Sequence, residues 1–253
     1  MSECRMTKAC KRAATWLIAG LVLCSASLVA REVQSHGLIF EKWLRDTFFD
    51  GYEPKGYTQK WDIPASANLK HGRVPVNPKA AKHGTPVGLG DAMRQFEIAE
   101  PFLLIVGFWE QVTPKQKRWV NVQAPLVKPE QWWKLWGDIT RADLERLIAV
   151  IKDKSVSIEE TRAQAKLLKA QPPFDSAIIE LNPKIDSSQR RLQCSLSFDA
   201  FFDHLVPKAE RGKLEQPEVF GVPLPADFTS APRVLKPEEL ARLSTGKNCL
   251  ARR

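Results

Sequence analysis

No CxxC pair occurs among the five cysteines, which stand at positions 4, 10, 24, 194 and 249. So odd and scattered a set excludes both a zinc ribbon and a disulfide framework. The four histidines, His36, His71, His83 and His204, are equally dispersed and show no HExxH spacing, so the helical zinc-protease site is excluded as well. GxSxG, the P-loop and GxGxxG are all missing, and the nearest approach, "GLGDA" at 88–92, is too short for a dinucleotide fingerprint. Internal repeats are absent, which removes solenoids and propellers.

The chain of 253 residues is 43% hydrophobic and 26% charged, enough to build one sizeable core. Lys and Arg outnumber Asp and Glu by 38 to 29, a formal charge of +9, which favours polyanionic partners such as nucleic acid or an anionic membrane. Residues 13–30, "AATWLIAGLVLCSASLVA", carry no charge and follow Lys11 and Arg12. That pattern matches a secretory signal and reaches the lower limit of a membrane span. A core-packed helix fits it too, as does translated sequence upstream of the true start, because the globular pattern begins abruptly at "REVQSHGLIFEKW". The chain is therefore divided into a hydrophobic segment 1–30, a globular region 31–206 and a proline-rich extended tail 207–253.

Between Gly37 and Phe49, the residues Phe40, Trp43, Leu44 and Phe48 fall on one helical stripe, with Glu41 near its edge. A carboxylate there looks either into a cleft or out to water. "YTQKWDIP" and "RVPVNPKAAK" read as neighbouring strands joined by a polar loop containing Asn68, Lys70, His71, Gly72 and Arg73. Pro75 and Pro78 predict that the second strand is irregular, bulged or at an edge. A helix is predicted from near Gly90, with Asp91 favourable at its positive end. "PFLLIVGFW" at 101–109 is a nearly unbroken apolar run, the pattern of a central strand covered on both faces. Helix, strands, helix and buried strand in that order predict an α/β layer with mixed pairing.

Further along, Trp132, Trp133 and Trp136 suit either a core or a stacking platform. Helices are predicted after Thr140 and Ser157, each followed three positions on by an acid, as an α-hairpin. Residues 176–198 read as a strand pair in which Leu192, Cys194, Leu196 and Phe198 alternate with polar residues. Its turn carries Lys184, Gln189, Arg190 and Arg191, either a basic tip suited to phosphate or an ordinary solvated end. A short last helix is predicted at "PEELARL", 237–243.

Phosphodiester hydrolysis needs a divalent cation held by carboxylates, an activated water and a positive group near the phosphate. Magnesium suits such a site because it takes oxygen ligands, binds one or two carboxylates and keeps several waters. A helix with Glu41, a strand with Asp62, a strand with Lys79, a helix through "DAMRQF" and the strand "LLIVGFW" follow one another here. This order resembles the core of the PD-(D/E)XK nuclease superfamily, in particular its type II restriction-endonuclease-like members, over residues 31–111. The bland alternative is a surface ion pair between Asp62 and Lys79.

The resemblance implies a restriction-endonuclease-like α/β core of helix, mixed central sheet and helix, with helical and β-hairpin additions C-terminal to it. It implies Asp62 as the metal-binding aspartate, Lys79 as the active-site lysine, Glu41 as the auxiliary acid and Gln95 as a supporting polar residue. One departure stands out: Asn77 occupies the place of the family's acid, giving "NPK". An asparagine carbonyl can coordinate a hard cation but brings no charge. Some members of the superfamily move that acid to the following helix, where Asp91 and Glu97 stand, Asp91 being the better placed.

The expectation is thus a magnesium- or manganese-dependent DNA endonuclease with Glu41, Asp62, Asn77 and Lys79 as its catalytic set and Asp62, Glu41 and Asp91 around the metal. Lys70, Arg73, Lys82, His83 and Arg94 would track the DNA backbone, with Arg190 and Arg191 adding contacts, in binding that weakens steeply with salt. The partners implied are double-stranded DNA, a second copy in a two-fold dimer and a DNA methyltransferase, with no small-molecule cofactor. The implied compartment is the cytoplasm, against export or membrane anchoring through residues 13–30. Two other readings stay open: a catalytically inactive DNA-binding module of the same fold, because of Asn77, and an exported non-enzymatic protein.

Overall fold

Leucine and phenylalanine four positions apart set the first element. The computed structural model describes residues 36–54 and 60–229, and a helix, α1, covers 36–48. Phe40, Leu44 and Phe48 form its buried stripe, as the spacing predicts. The apolar run at 13–30 and the helix expected at 237–243 lie outside the described residues. No described helix is long and apolar enough to cross a membrane.

The protein has an α/β fold with a mixed central sheet. Strands β1 (Val76–Lys82), β2 (Val87–Asp91), β3 (Phe102–Gln111), β4 (Gln116–Gln123) and β5 (Leu126–Val127) are interrupted by the short helix α2 (Ala92–Phe96). β1 runs parallel to β3, β4 is antiparallel to β3, and β5 pairs with the start of β3. Eight consecutive residues of β3, Phe102 to Trp109, are buried. Phe102, Leu104, Val106 and Phe108 belong to one core, and Leu103, Ile105 and Trp109 to the other, where α1 packs. Two covered faces therefore account for the unbroken apolar run. At Gly107 a Cβ would lie 2.8 Å from the Phe40 ring, so glycine is what lets α1 approach the sheet.

β2 is a strand where the sequence predicts only the approach to a helix near Gly90. It leaves the central sheet and pairs antiparallel with β7 (Arg190–Leu196), which in turn pairs with β6 (Glu180–Ile185), giving a second sheet in the order β2-β7-β6. A bulge between Gly88 and Gly90, where Gly90 has φ +97°, redirects the chain into α2. Helices α3 (Pro129–Trp136), α4 (Arg141–Lys152), α5 (Ile158–Lys169) and α6 (Phe198–Leu205) contribute to the larger core between the sheets. The α4/α5 hairpin forms as its caps predict: Thr140 and Asp143 make a full capping box, and Ser157 accepts from the Glu160 amide. Trp132 and Trp136 are fully buried, which settles two of the three tryptophans as core.

The described part of the tail, residues 207–229, adds strands β8 (Glu218–Val219), β9 (Val222–Pro223) and β10 (Asp227–Thr229). β10 extends the central sheet to the order β1-β3-β4-β10, and Phe228 stacks on Trp119 with centroids 4.5 Å apart. β1 is thereby left at the opposite edge, where Pro75 and Pro78 place it.

Candidate active site

The predicted strand through Asp62 does not form over its described residues, 60–64. Among the described residues it is reduced to one antiparallel bridge, in which Ile63 exchanges both main-chain hydrogen bonds with Val76. The physical reason lies in β1. A strand residue points its N–H and C=O to the same side, and the next outward-facing position after Val76 is Pro78, which has no N–H to give. Pairing along the outer side of β1 therefore stops after a single bridge. In the register set by that bridge, Asp62 falls opposite Asn77, with Lys79 one alternation further on the same side of β1.

The loop between the bridge partners is fixed from within. Asn68 is fully buried; its Nδ2 donates to the carbonyls of His71 and Val74, and its Oδ1 accepts from the His71 amide. Asp62 thus sits between a loop hydrogen-bonded from within and the edge of β1.

Lys79 Nζ lies 3.2 Å from Asp62 Oδ2 and donates to the Pro78 carbonyl at 2.9 Å. The lysine side chain is 19% exposed and the aspartate 40%. Glu41, on α1, lies within electrostatic reach of both. Burial chiefly, and then the Asp62 charge, push its carboxyl above the usual range, while Lys79 and Arg45 pull the other way. Three residues from separate segments thus share one field at the open edge of β1.

Sequence reading missed Arg45, although its place one turn after Glu41 on α1 was the available signal. Its side chain is 12% exposed, Nη2 is 3.7 Å from the exposed Glu53 carboxylate, and the buried Nε has no hydrogen-bond partner. An unmet buried donor costs about 1–3 kcal/mol.

The other expected residues are dispersed. Asn77 is 5% exposed and projects from the same side of β1 as Lys79. Asp91 caps α2, its Oδ1 accepting from the Arg94 amide, and is exposed. Asp91 and Lys79 both act on the buried Cys194 thiol, which burial drives far above its usual range. Glu97, the second substitute acid, is paired with Arg141 at 2.6 Å and takes no part in the site. Gln95 is buried in α2; its main-chain carbonyl accepts from Trp132 Nε1, and its side-chain Oε1 is without a partner.

Among the basic residues, Arg73, Arg94 and Arg191 are exposed and Lys82 is half-buried. Lys70 pairs with Asp50 at 3.3 Å, both well exposed. Two residues serve the fold instead of offering a phosphate contact. His83 Nε2 is hydrogen-bonded to the Arg211 carbonyl and its ring packs edge-on against Phe198. Arg190 turns inward from the hairpin tip and donates to the main-chain carbonyls of Asp153 and Val156 and to Thr161 Oγ1.

No group of three or more His, Cys, Asp or Glu side chains able to hold a metal occurs among the described residues. Asp91 does not complete the set begun by Glu41 and Asp62. Glu41 and Asp62 are the two carboxylates that share the field of Lys79. The chain matches no protein-family model, no curated protein and no solved structure.

Proposed function

We propose that the chain is a metal-dependent endonuclease acting on double-stranded DNA, built on a restriction-endonuclease-like variant of its α/β core. The observation that carries this reading is the Asp62–Lys79 contact of 3.2 Å at the edge of β1, in the same field as Glu41. Asp62 and Glu41 would hold a magnesium ion, which supplies charge neutralisation at the phosphate and a more acidic bound water.

The remaining work falls to the chain's own side chains. An ammonium has three N–H donors, and two of those on Lys79 go to Asp62 Oδ2 and the Pro78 carbonyl. The third is free to orient the attacking water or to donate to a non-bridging phosphate oxygen as charge builds up there. Glu41, whose carboxyl is raised by burial and by the Asp62 charge, would have to shed its own proton before serving as the second carboxylate of the site. The positive charge of the chain, with Arg73, Arg94 and Arg191 exposed, suits contact with the phosphate backbone.

A second reading is binding without cleavage. Asn77 is neutral and buried where the resemblance calls for an acid, and Asp91 does not replace it. Supercoiled plasmid incubated with magnesium separates the two, comparing the native protein with Asp62→Ala and Lys79→Ala. Cleavage by the native protein alone is the expected result. Salt-sensitive binding with no nicking in magnesium or manganese selects the second reading, and neither binding nor nicking ends both.

A further inference from the structure

Arg45 is a cation whose donors are incompletely met, beside a site proposed to receive a polyanion. It follows Glu41 by one helical turn, which puts both on the same flank of the buried Phe40–Leu44–Phe48 stripe. Its side chain is nearly enclosed at 12% exposure, yet its ion pair with Glu53 spans 3.7 Å, beyond hydrogen-bonding distance, and reaches a carboxylate that is 71% exposed. The buried Nε has no acceptor at all. Arginine is seldom enclosed unless its donors are met. A guanidinium offers a rigid fork of N–H groups whose geometry matches the oxygens of a phosphodiester, and a partly desolvated fork binds them more strongly than one in water.

We propose that Arg45 contacts a phosphate of the bound DNA strand, donating to its non-bridging oxygens beside the position occupied by Glu41, Asp62 and Lys79. The inference rests on the nuclease reading and extends it: it identifies a substrate-binding residue on α1 that the motif does not contain. The competing role is internal, with Arg45 serving only to offset the negative charge of Glu41.

The two roles differ in counterion release. Each phosphate neutralised steepens the dependence of log Kd on log salt by about 0.9 for duplex DNA. Affinity for a short DNA duplex, measured without divalent metal over a range of salt, is compared for the native protein, Arg45→Gln and Arg45→Lys, with folding checked by circular dichroism. Arg45→Gln is expected to bind more weakly and to lose about one phosphate's share of the slope. Arg45→Lys, which keeps the charge and loses the fork, is expected to keep the slope while binding more weakly; it also serves if the glutamine variant does not fold. The same pair is then made in a Glu41→Gln background, where an arginine that only offsets Glu41 has nothing to offset. Persistence of the slope change there supports the phosphate contact. Native binding with an unchanged slope in Arg45→Gln, or a slope change that vanishes with Glu41, overturns it. A native protein that neither binds duplex DNA nor cuts plasmid has a different signature and brings down the nuclease reading itself.

Discussion

Replacing Asp62 by Asn and Lys79 by Gln, singly and together, separates an active site from a surface ion pair by magnitude alone. The two side chains are 40% and 19% exposed, and a pair so placed contributes about 0.2–1 kcal/mol to stability. For a chain of this size, about 1 kcal/mol moves Tm by roughly 2–4 °C, so each variant is expected to melt within a few degrees of the parent. Loss of a group that positions or transfers a proton in the transition state costs about 10²- to 10⁴-fold in rate. At about 1.4 kcal/mol per decade, that is roughly 3–5 kcal/mol. Plasmid cleavage under single-turnover conditions should therefore fall far more than stability does. The double variant should be little worse than the poorer single one, since residues acting as a unit are not additive. If the rate losses stay within about fivefold, the equivalent of the ion pair's own worth, the pair is structural and the assignment of the site is refuted.

Glu41→Gln should stabilise the protein at neutral pH while abolishing cleavage. The carboxyl is raised in the folded state, so the folded protein binds its proton more tightly than the unfolded chain, and stability falls as pH rises from the ordinary carboxylate range through the folded pKa. Urea titrations should show the variant's advantage at neutral pH and its disappearance in acid; cleavage by the parent should fall with the protonation of Glu41 as pH is lowered. Asn77→Asp should tighten magnesium binding measured by calorimetry and lower stability at neutral pH without metal, because it puts a carboxylate where a side chain is 5% exposed. An unchanged magnesium affinity would place Asn77 outside the cation's reach. Arg190→Ala should cost roughly 1.5–3 kcal/mol in chemical denaturation, the worth of charged hydrogen bonds to the α4–α5 loop and to Thr161 on α5, and leave DNA affinity near that of the parent. A weaker affinity with no loss of stability would mean that Arg190 faces the substrate.

Elements with a single strong period were legible. α1, the α4/α5 hairpin with its caps, β3 and the β6/β7 pair follow directly from their apolar spacing. β4 was not, because its buried positions include Lys117 and Asn121. Lys117 is fully buried with Nζ 4.2 Å above the Trp109 ring, and no local pattern announces that a lysine in "KQKRW" points inward. β2 was hidden by its two glycines, whose bulge reads as a turn. The site divides in the same way. The resemblance in element order singled out Glu41, Asp62 and Lys79, whose charges the structure brings into one field, but burial decided which of the other charged residues were spoken for. His83, Glu97 and Arg190 each found a partner far away in sequence, where a one-dimensional reading has no view.

The two prolines of "RVPVNPK" were legible as markers of an edge, and their consequence for chemistry follows from backbone direction. Pro78 faces outward, so its missing N–H costs the central sheet nothing and denies a neighbouring strand a donor at the next paired position after Val76. The same outward turn presents the Pro78 carbonyl to Lys79 Nζ at 2.9 Å. One residue thus ends the sheet, limits the Asp62 segment to a single bridge and orients the lysine. A longer paired strand would have covered this edge, which in the proposed reaction is the one a phosphate would approach. On this argument the truncation of the predicted strand is what opens the edge at Asp62 and Lys79, and the stability forgone in unmade ladder bonds is the cost of leaving it open.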